Sequence, residues 1–234
     1  MTMTDTEKKL RAQIAALREI TRAISAAYSL EQILALITRK TAHVMRADSC
    51  SIYLLDDGGK FLVLKATTGL ATEAVGHARL KIGEGLTGHA AKTGKPVAAS
   101  QASRDPHFKY LPETKEQMFQ SLLAVPLIAR GKVIGALNVQ TREGREYPPD
   151  EIELLSIIAD VAAGELEKAL LYEEIGGLKE ALETRKLVER AKGFLMKRYT
   201  INEQDAFARI QLQARNARKS MREIAEAIIL VEDV

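Results

Sequence analysis

The stretch 187–230, LVERAKGFLMKRYTINEQDAFARIQLQARNARKSMREIAEAIIL, decides how the C-terminal part of the chain folds. Its apolar residues recur at helical spacing in three blocks: Val188, Ala191, Phe194 and Leu195; Ala206, Phe207, Ile210 and Ala214; Met221, Ile224, Ala225 and Ile228. Asn202 stands three residues before Asp205, and Ser220 three before Glu223, so the second and third blocks carry the capping residues of new helices. Helices this short do not hold in water alone. The spacing therefore predicts a three-helix bundle with one shared core, in which Phe194 and Phe207 face inward. The same 44 residues hold nine Lys and Arg against five Asp and Glu, a net +4 that exceeds the +3 of the whole chain. This basic stretch is thus the region whose residues suggest an output.

The rest of the chain bounds what surrounds that stretch. With 234 residues, 46% hydrophobic and 28% charged, it suits two domains joined by helices. Its longest apolar run, Leu122 to Ala129, is interrupted by Pro126 and falls far short of the roughly 18 residues that span a bilayer. The N-terminus carries charges where a signal peptide needs apolar residues, and a single cysteine, Cys50, leaves no intrachain disulfide. A cytoplasmic protein without membrane attachment is expected.

Leu10, Ile14, Leu17, Ile20 and Ile24 predict an amphipathic helix in the segment 1–28, which either packs on its own domain or pairs with a second chain. A kink near Tyr28 and Ser29 precedes a helix opened by the capping pair Ser29 and Gln32, with Leu30, Ile33, Leu34 and Ile37 inward. At Ser49 the period changes to two. Cys50, Ile52 and Leu54 point one way, Ser51 and Tyr53 the other, and Asp57-Gly58-Gly59 turns the chain into a return strand, Phe61 to Ala66. A second hairpin runs from Leu122–Ala129 through Arg130-Gly131 to Val133–Val139. Pro126 cannot donate to a ladder, so its strand lies at an edge or is bulged. Between the hairpins we expect a short strand at 79–82, a helix over 86–93 and a polar loop over 100–116. Pro149 suits the first turn of the next helix. Strands bracketed by helices make an α+β domain.

Gly83-Glu84-Gly85-Leu86-Thr87-Gly88 satisfies GxGxxG, yet no buried apolar strand precedes it and no βαβ unit follows, so turn geometry explains these glycines better than a dinucleotide. His43, His77, His89 and His107 lack metal-ligand spacing. Cys50 reads as a small buried apolar residue. No catalytic cluster or metal site emerges, no enzyme is expected, and no cofactor is named by the sequence. Beyond the domain, Leu171, Ile175, Leu178 and Leu182 step by four, three and four, the spacing of a coiled-coil connector over 171–186; Gly176-Gly177 interrupts it as a weak point, either a regulatory element or a simple hinge.

Two resemblances rest on these residues. KIGEGLTGHAAKTGKPV, then Asp105-Pro106-His107-Phe108, Leu123-Ala124-Val125-Pro126-Leu127 and Val133-Ile134-Gly135-Ala136-Leu137 resemble a GAF domain, over 29–170. That resemblance implies a six-stranded antiparallel sheet, helices on one face and a small-molecule pocket on the other. The cyclic-nucleotide signature has no counterpart here, and bilin attachment or methionine-sulfoxide reduction would need further cysteines. Ala191-Lys192-Gly193, Leu195-Met196, Asp205-Ala206-Phe207, Ala214-Arg215 and Ile224-Ala225 resemble an ANTAR domain, over 187–234. It implies an RNA-binding antitermination module, controlled by the sensory domain; the apolar stripe of Leu171, Ile175, Leu178 and Leu182 predicts a homodimer paired through the connector. The expected RNA contacts are Lys192, Arg215, Arg218, Lys219 and Arg222, with arginine serving for both charge and stacking because the inward phenylalanines leave only Tyr199 exposed. A basic three-helix bundle also suits a DNA-binding helix-turn-helix regulator, and a GAF-type enzyme is a more distant alternative.

Overall fold

A computed structural model describes residues 29–232, and before them 14, 15, 17, 18, 21 and 22. The amphipathic helix expected over 1–28, with the kink at its end, otherwise lies outside the described residues. The chain divides into two compact units, residues 1–170 and 171–234.

In the first unit, α1 (Leu30–Val44) is capped by Ser29, whose hydroxyl accepts from the Gln32 N–H at 3.2 Å. Six strands follow, β1 (Ser49–Leu55), β2 (Phe61–Thr68), β3 (Arg79–Lys81), β4 (Val97–Ala99), β5 (Ser121–Ala129) and β6 (Lys132–Thr141), with α2 (Gly85–Thr93) between β3 and β4. They form one antiparallel sheet in the order β3-β2-β1-β6-β5-β4. The alternation seen in the sequence sets its two faces. On one, Cys50, Ile52, Leu54, Leu123, Val125, Leu137 and Val139 meet Ile33, Leu34 and Ile37 of α1 and Leu155, Ile158 and Leu166 of the helix α3 (Pro149–Tyr199) in the main core. Pro149 opens that helix, as its fixed φ allows.

The sheet resolves the question of Pro126. Its strand is flanked by β6 and β4, but β4 pairs only with Leu122, Leu123 and Ala124, so at Pro126 the far side of β5 is free, and a register shift follows between Leu127 and Ile128. β4 itself was missed in the sequence: Val97-Ala98-Ala99 is too short to show a period. The glycine-rich turn behaves as its composition suggests. Gly83 and Gly85 hold φ of +89° and +68°, and a Cβ on Gly88 would lie 2.7 Å from the Lys81 carbonyl oxygen.

In the second unit, α3 continues without a break through Gly176-Gly177 to Tyr199, followed by α4 (Glu203–Ala217) and α5 (Met221–Glu232). The interruption expected at the paired glycines is therefore absent; good helix formers on both sides carry the hydrogen-bond ladder across them, at a cost of about 1 kcal/mol each relative to alanine. Val188, Ala191, Leu195, Ala206, Ile210, Ala214, Ile224, Ala225 and Ile229 form the bundle core.

Candidate nucleic-acid interface

The corner between α4 and α5 gathers most of the expected RNA contacts. Arg218 ends α4 in the left-handed conformation, φ 53°, where its N–H reaches the Ala214 and Arg215 carbonyls, and the Lys219 N–H bonds the Ala214 carbonyl at 3.0 Å. Helices ending this way ordinarily place glycine there. Ser220 then opens α5 with a reciprocal capping box: its hydroxyl accepts from the Glu223 N–H at 3.2 Å, and the Glu223 carboxylate takes the Ser220 N–H at 2.8 Å. That bond, with the Ser220 hydroxyl, holds the Glu223 carboxyl below the usual carboxylate range. This tight turn projects Arg215, Arg218 and Lys219 from one short segment, all exposed. Among the described residues no carboxylate forms an ion pair with these three. Arg222, the second residue of α5, is bonded to Glu226 at 2.9 Å.

Lys192 stands apart. It lies at the α3–α4 corner, where its Nζ donates to Glu189 at 2.8 Å and to Glu203 at 2.7 Å. Hydrogen bonds to Glu189 and Glu203 raise its pKa, and its own ammonium lowers that of Glu203. Only 7% of the residue is exposed, with the stem covered and the charge carried to the rim. Glu203 begins α4 and Arg215 lies in its last turn, about 18 Å along the helix at 1.5 Å per residue. The five residues picked from the sequence thus fall into one cluster of four and one lysine at the other end of α4.

One expectation is corrected. Phe207, read as inward-facing, is 44% exposed. The buried positions of α4 are Ala206, Ile210 and Ala214, a stripe at intervals of four that turns the neighbouring Phe207 outward. Phe194 does pack against the core, partly buried. Exposed rings are therefore more plentiful than arginine-only stacking assumes. Tyr199 is 49% exposed with the Arg209 guanidinium 4.2 Å from its ring centre, and the Arg198 guanidinium lies 5.7 Å from that of Phe194. Beside them a shallow cavity of about 240 Å³ opens between Leu195, Tyr199, Gln213 and Ile228.

In the first unit, folding joins residues that are remote in sequence. The rings of His89 and His107 lie 4.4 Å apart. The described residues hold no group of three or more potential metal ligands, nor any helix long and apolar enough to cross a membrane. Cys50 is fully covered, and burial drives its thiol pKa well upward.

A curled antiparallel sheet with a helix pair on one face, followed by a small basic helical bundle, defines a two-part architecture. Residues 27–167 match the GAF domain family and residues 177–229 the ANTAR domain family. The chain belongs to the GAF-domain family and carries an ANTAR domain at its C-terminal end. Its first unit is 32% identical to the GAF domain from a phosphoenolpyruvate-protein phosphotransferase of Coxiella burnetii, with a TM-score of 0.66 over 70% of this chain and 98% of that one. A phosphoenolpyruvate-dependent phosphotransferase system protein of Escherichia coli is 31% identical over 155 residues, 66% of this chain but only 21% of the relative. The chain therefore spans about a fifth of the length of that relative. The transcriptional regulatory protein PdtaR of Mycobacterium tuberculosis is 46% identical over 63 residues, 27% of this chain and 31% of PdtaR.

Proposed function

We propose that this chain is a signal-responsive transcription antitermination regulator, in which the ANTAR bundle binds hairpin elements of nascent RNA under the control of the GAF unit. The observation that carries the reading is the unpaired cationic corner, Arg215, Arg218 and Lys219, held at a turn where arginine occupies a backbone conformation that favours glycine. Strain of that kind persists where the side chain is needed. Arg222 completes the corner. Lys192 contributes by fixing the α3–α4 junction and reaches RNA only by releasing one of its carboxylates. Phe207 and Tyr199 supply rings for unpaired bases. The similarity to PdtaR supports a role in transcription.

The exposed apolar stripe of Leu171, Ile175, Leu178 and Leu182 supports a homodimer through the connector 171–186. We propose domain limits of 29–170 for the sensor and 187–234 for the RNA module, a cytoplasmic location and no catalytic role. Gel shifts against an RNA hairpin and a duplex DNA of the same sequence test the assignment. Hairpin binding weakened by about 1–3 kcal/mol in Arg215→Ala is expected if that arginine reads bases, and a salt dependence flatter by about one unit if it meets phosphate. Equal affinity for duplex DNA, or no effect of Arg215→Ala with folding intact, refutes it. Leu178→Glu should reduce both self-association in light scattering and RNA affinity.

A further inference from the structure

Where the α1–β1 turn meets the β6–α3 turn, at the end of the sheet, the sensor unit holds a cavity of about 340 Å³ lined by Arg46, Asp48, Thr141, Arg142, Glu143 and Arg145. Sites for drug-sized molecules are lined mostly by apolar side chains. This one has five charged residues, one hydroxyl and no aliphatic or aromatic residue. Three guanidiniums at one spot repel one another unless negative charge lies between them.

The two turns are tied together by their backbones. The Asp48 N–H donates to the Gln140 carbonyl at 3.0 Å, and Asp48 Oδ2 accepts from the Arg142 N–H at 2.8 Å. Arg145 is held from three sides: its guanidinium lies 4.6 Å from the Tyr147 ring centre, donates through Nη2 to the Met45 carbonyl at 3.3 Å and stands 2.9 Å from Glu151 of α3. Its Nε–H is buried and has no partner, a costly state until an acceptor meets it. Arg46 sits at φ 49°, the left-handed conformation that ordinarily falls to glycine after a helix. Among the described residues, Arg46, Arg142, Asp48 and Glu143 form no ion pair, although both signs line one small space. The Thr141 hydroxyl donates to the Glu143 backbone carbonyl at 2.7 Å and so gives nothing to the carboxylates. Capping of the α1 carbonyl end accounts for Nη2 of Arg145, and not for the side chains of Arg46 and Arg142.

The ligand that fits accepts from several guanidiniums and also has a hydroxyl to give to a carboxylate. We propose that the cavity binds hydrogen phosphate. Its unprotonated oxygens accept from Arg46, Arg142 and Arg145, whose planar forks suit a tetrahedral oxyanion, and its P–OH donates to the Asp48 or Glu143 carboxylate. Sulfate has the same shape but no proton at neutral pH, so its oxygens would meet those carboxylates with like charge; a phosphodiester lacks the proton too. A bound phosphate joins the turn after α1 to the segment that leads into α3, and so braces the root of the helix that runs on to Tyr199. This site does not rest on the RNA-binding reading.

The test uses the full chain, isotopically labelled, at constant ionic strength set with sodium chloride, and follows the Arg145 Nε–H and the backbone amides of Asp48 and Arg142. Inorganic phosphate at neutral pH should give saturable shifts, with sulfate and dimethyl phosphate binding at least tenfold more weakly. Arg46→Gly suits a backbone that favours glycine, so folding is retained, and it should weaken phosphate binding at least tenfold. Arg142→Gln, whose backbone N–H still reaches Asp48, should do the same. No saturable response to phosphate, or unchanged affinity in both variants, overturns the site. Equal affinity for sulfate means an adventitious ion only, and equal affinity for dimethyl phosphate means a surface for nucleic-acid backbone; either overturns it as well. These ligand comparisons are made on the unaltered protein and do not depend on any variant folding. Since no RNA enters the measurement, its failure leaves the gel-shift result standing, and the reverse holds too.

Discussion

Replacing Ile210 by alanine should unfold the RNA module while leaving the sensor unit intact. Ile210 is fully buried at the centre of the bundle, among Ala191, Ala206 and Ala225, which are themselves too small to close a gap. Three carbon groups are removed, worth about 2.4 kcal/mol at ~0.8 each, and the void left by poor collapse brings the loss to about 3–4 kcal/mol. The unit 171–234 is small, and at roughly 0.05–0.15 kcal/mol per residue its stability is about 3–10 kcal/mol. The loss is thus comparable to the lower end of that range, whereas Ile210→Val, which removes a single methylene, should cost about 1 kcal/mol and leave RNA binding unchanged. Denaturant titration followed through amide resonances of Ala206 and Ala225, with sensor resonances such as Leu137 as the internal reference, measures both. A cost below 1 kcal/mol for the alanine variant, with the bundle resonances still dispersed, would falsify this account of the core.

Gly135→Ala should strongly destabilise the sensor unit. The added Cβ would lie 2.1 Å from the Tyr53 carbonyl oxygen, so β1 and β6 must part, at a cost of about 3 kcal/mol or more by thermal denaturation. Arg218→Gly should raise bundle stability by up to ~1 kcal/mol by relieving the left-handed backbone, and yet weaken RNA binding in gel shifts; a loss of stability would refute the strain argument. The Glu116 carboxyl, raised by burial, binds its proton more tightly in the folded than in the unfolded state. Its stabilising contribution is complete below the ordinary glutamate range and declines as pH rises through the folded value, so the melting temperature of wild type relative to Glu116→Gln should fall over that window.

How much the sequence disclosed depends on the kind of signal. The first hairpin was legible from the alternation at Cys50–Leu54 and the Asp57-Gly58-Gly59 turn, the second from the apolar run Leu122–Ala129 and the Arg130-Gly131 turn, although both faces of these strands are buried. So was the reciprocal cap at Ser220 and Glu223, a local bond needing no tertiary contact. Phe207 was misjudged because an aromatic residue next to a helical stripe fits either side of it, and only the close approach permitted by Ala206 and Ala214 decides the face. Lys192 looked like a surface charge; its partner Glu203 lies on the next helix, beyond the reach of spacing rules. The burial of Asn138 and Gln140 was hidden for a related reason. They alternate properly with Val139, as an ordinary half-solvated strand would, and nothing local says that α2 and the turn at Glu116 close over them.

The setting of Cys50 makes it a clock for the sensor unit. It is the chain's lone cysteine, wholly enclosed between β2 and β6, and its thiolate is suppressed by burial. An alkylating reagent reaches that sulfur only when the sheet opens, so the rate of labelling under native conditions equals the intrinsic thiol rate multiplied by the open fraction. No engineered probe is needed to follow how often the domain breathes. A ligand that binds the closed sheet would slow the labelling by the factor with which it depletes the open population.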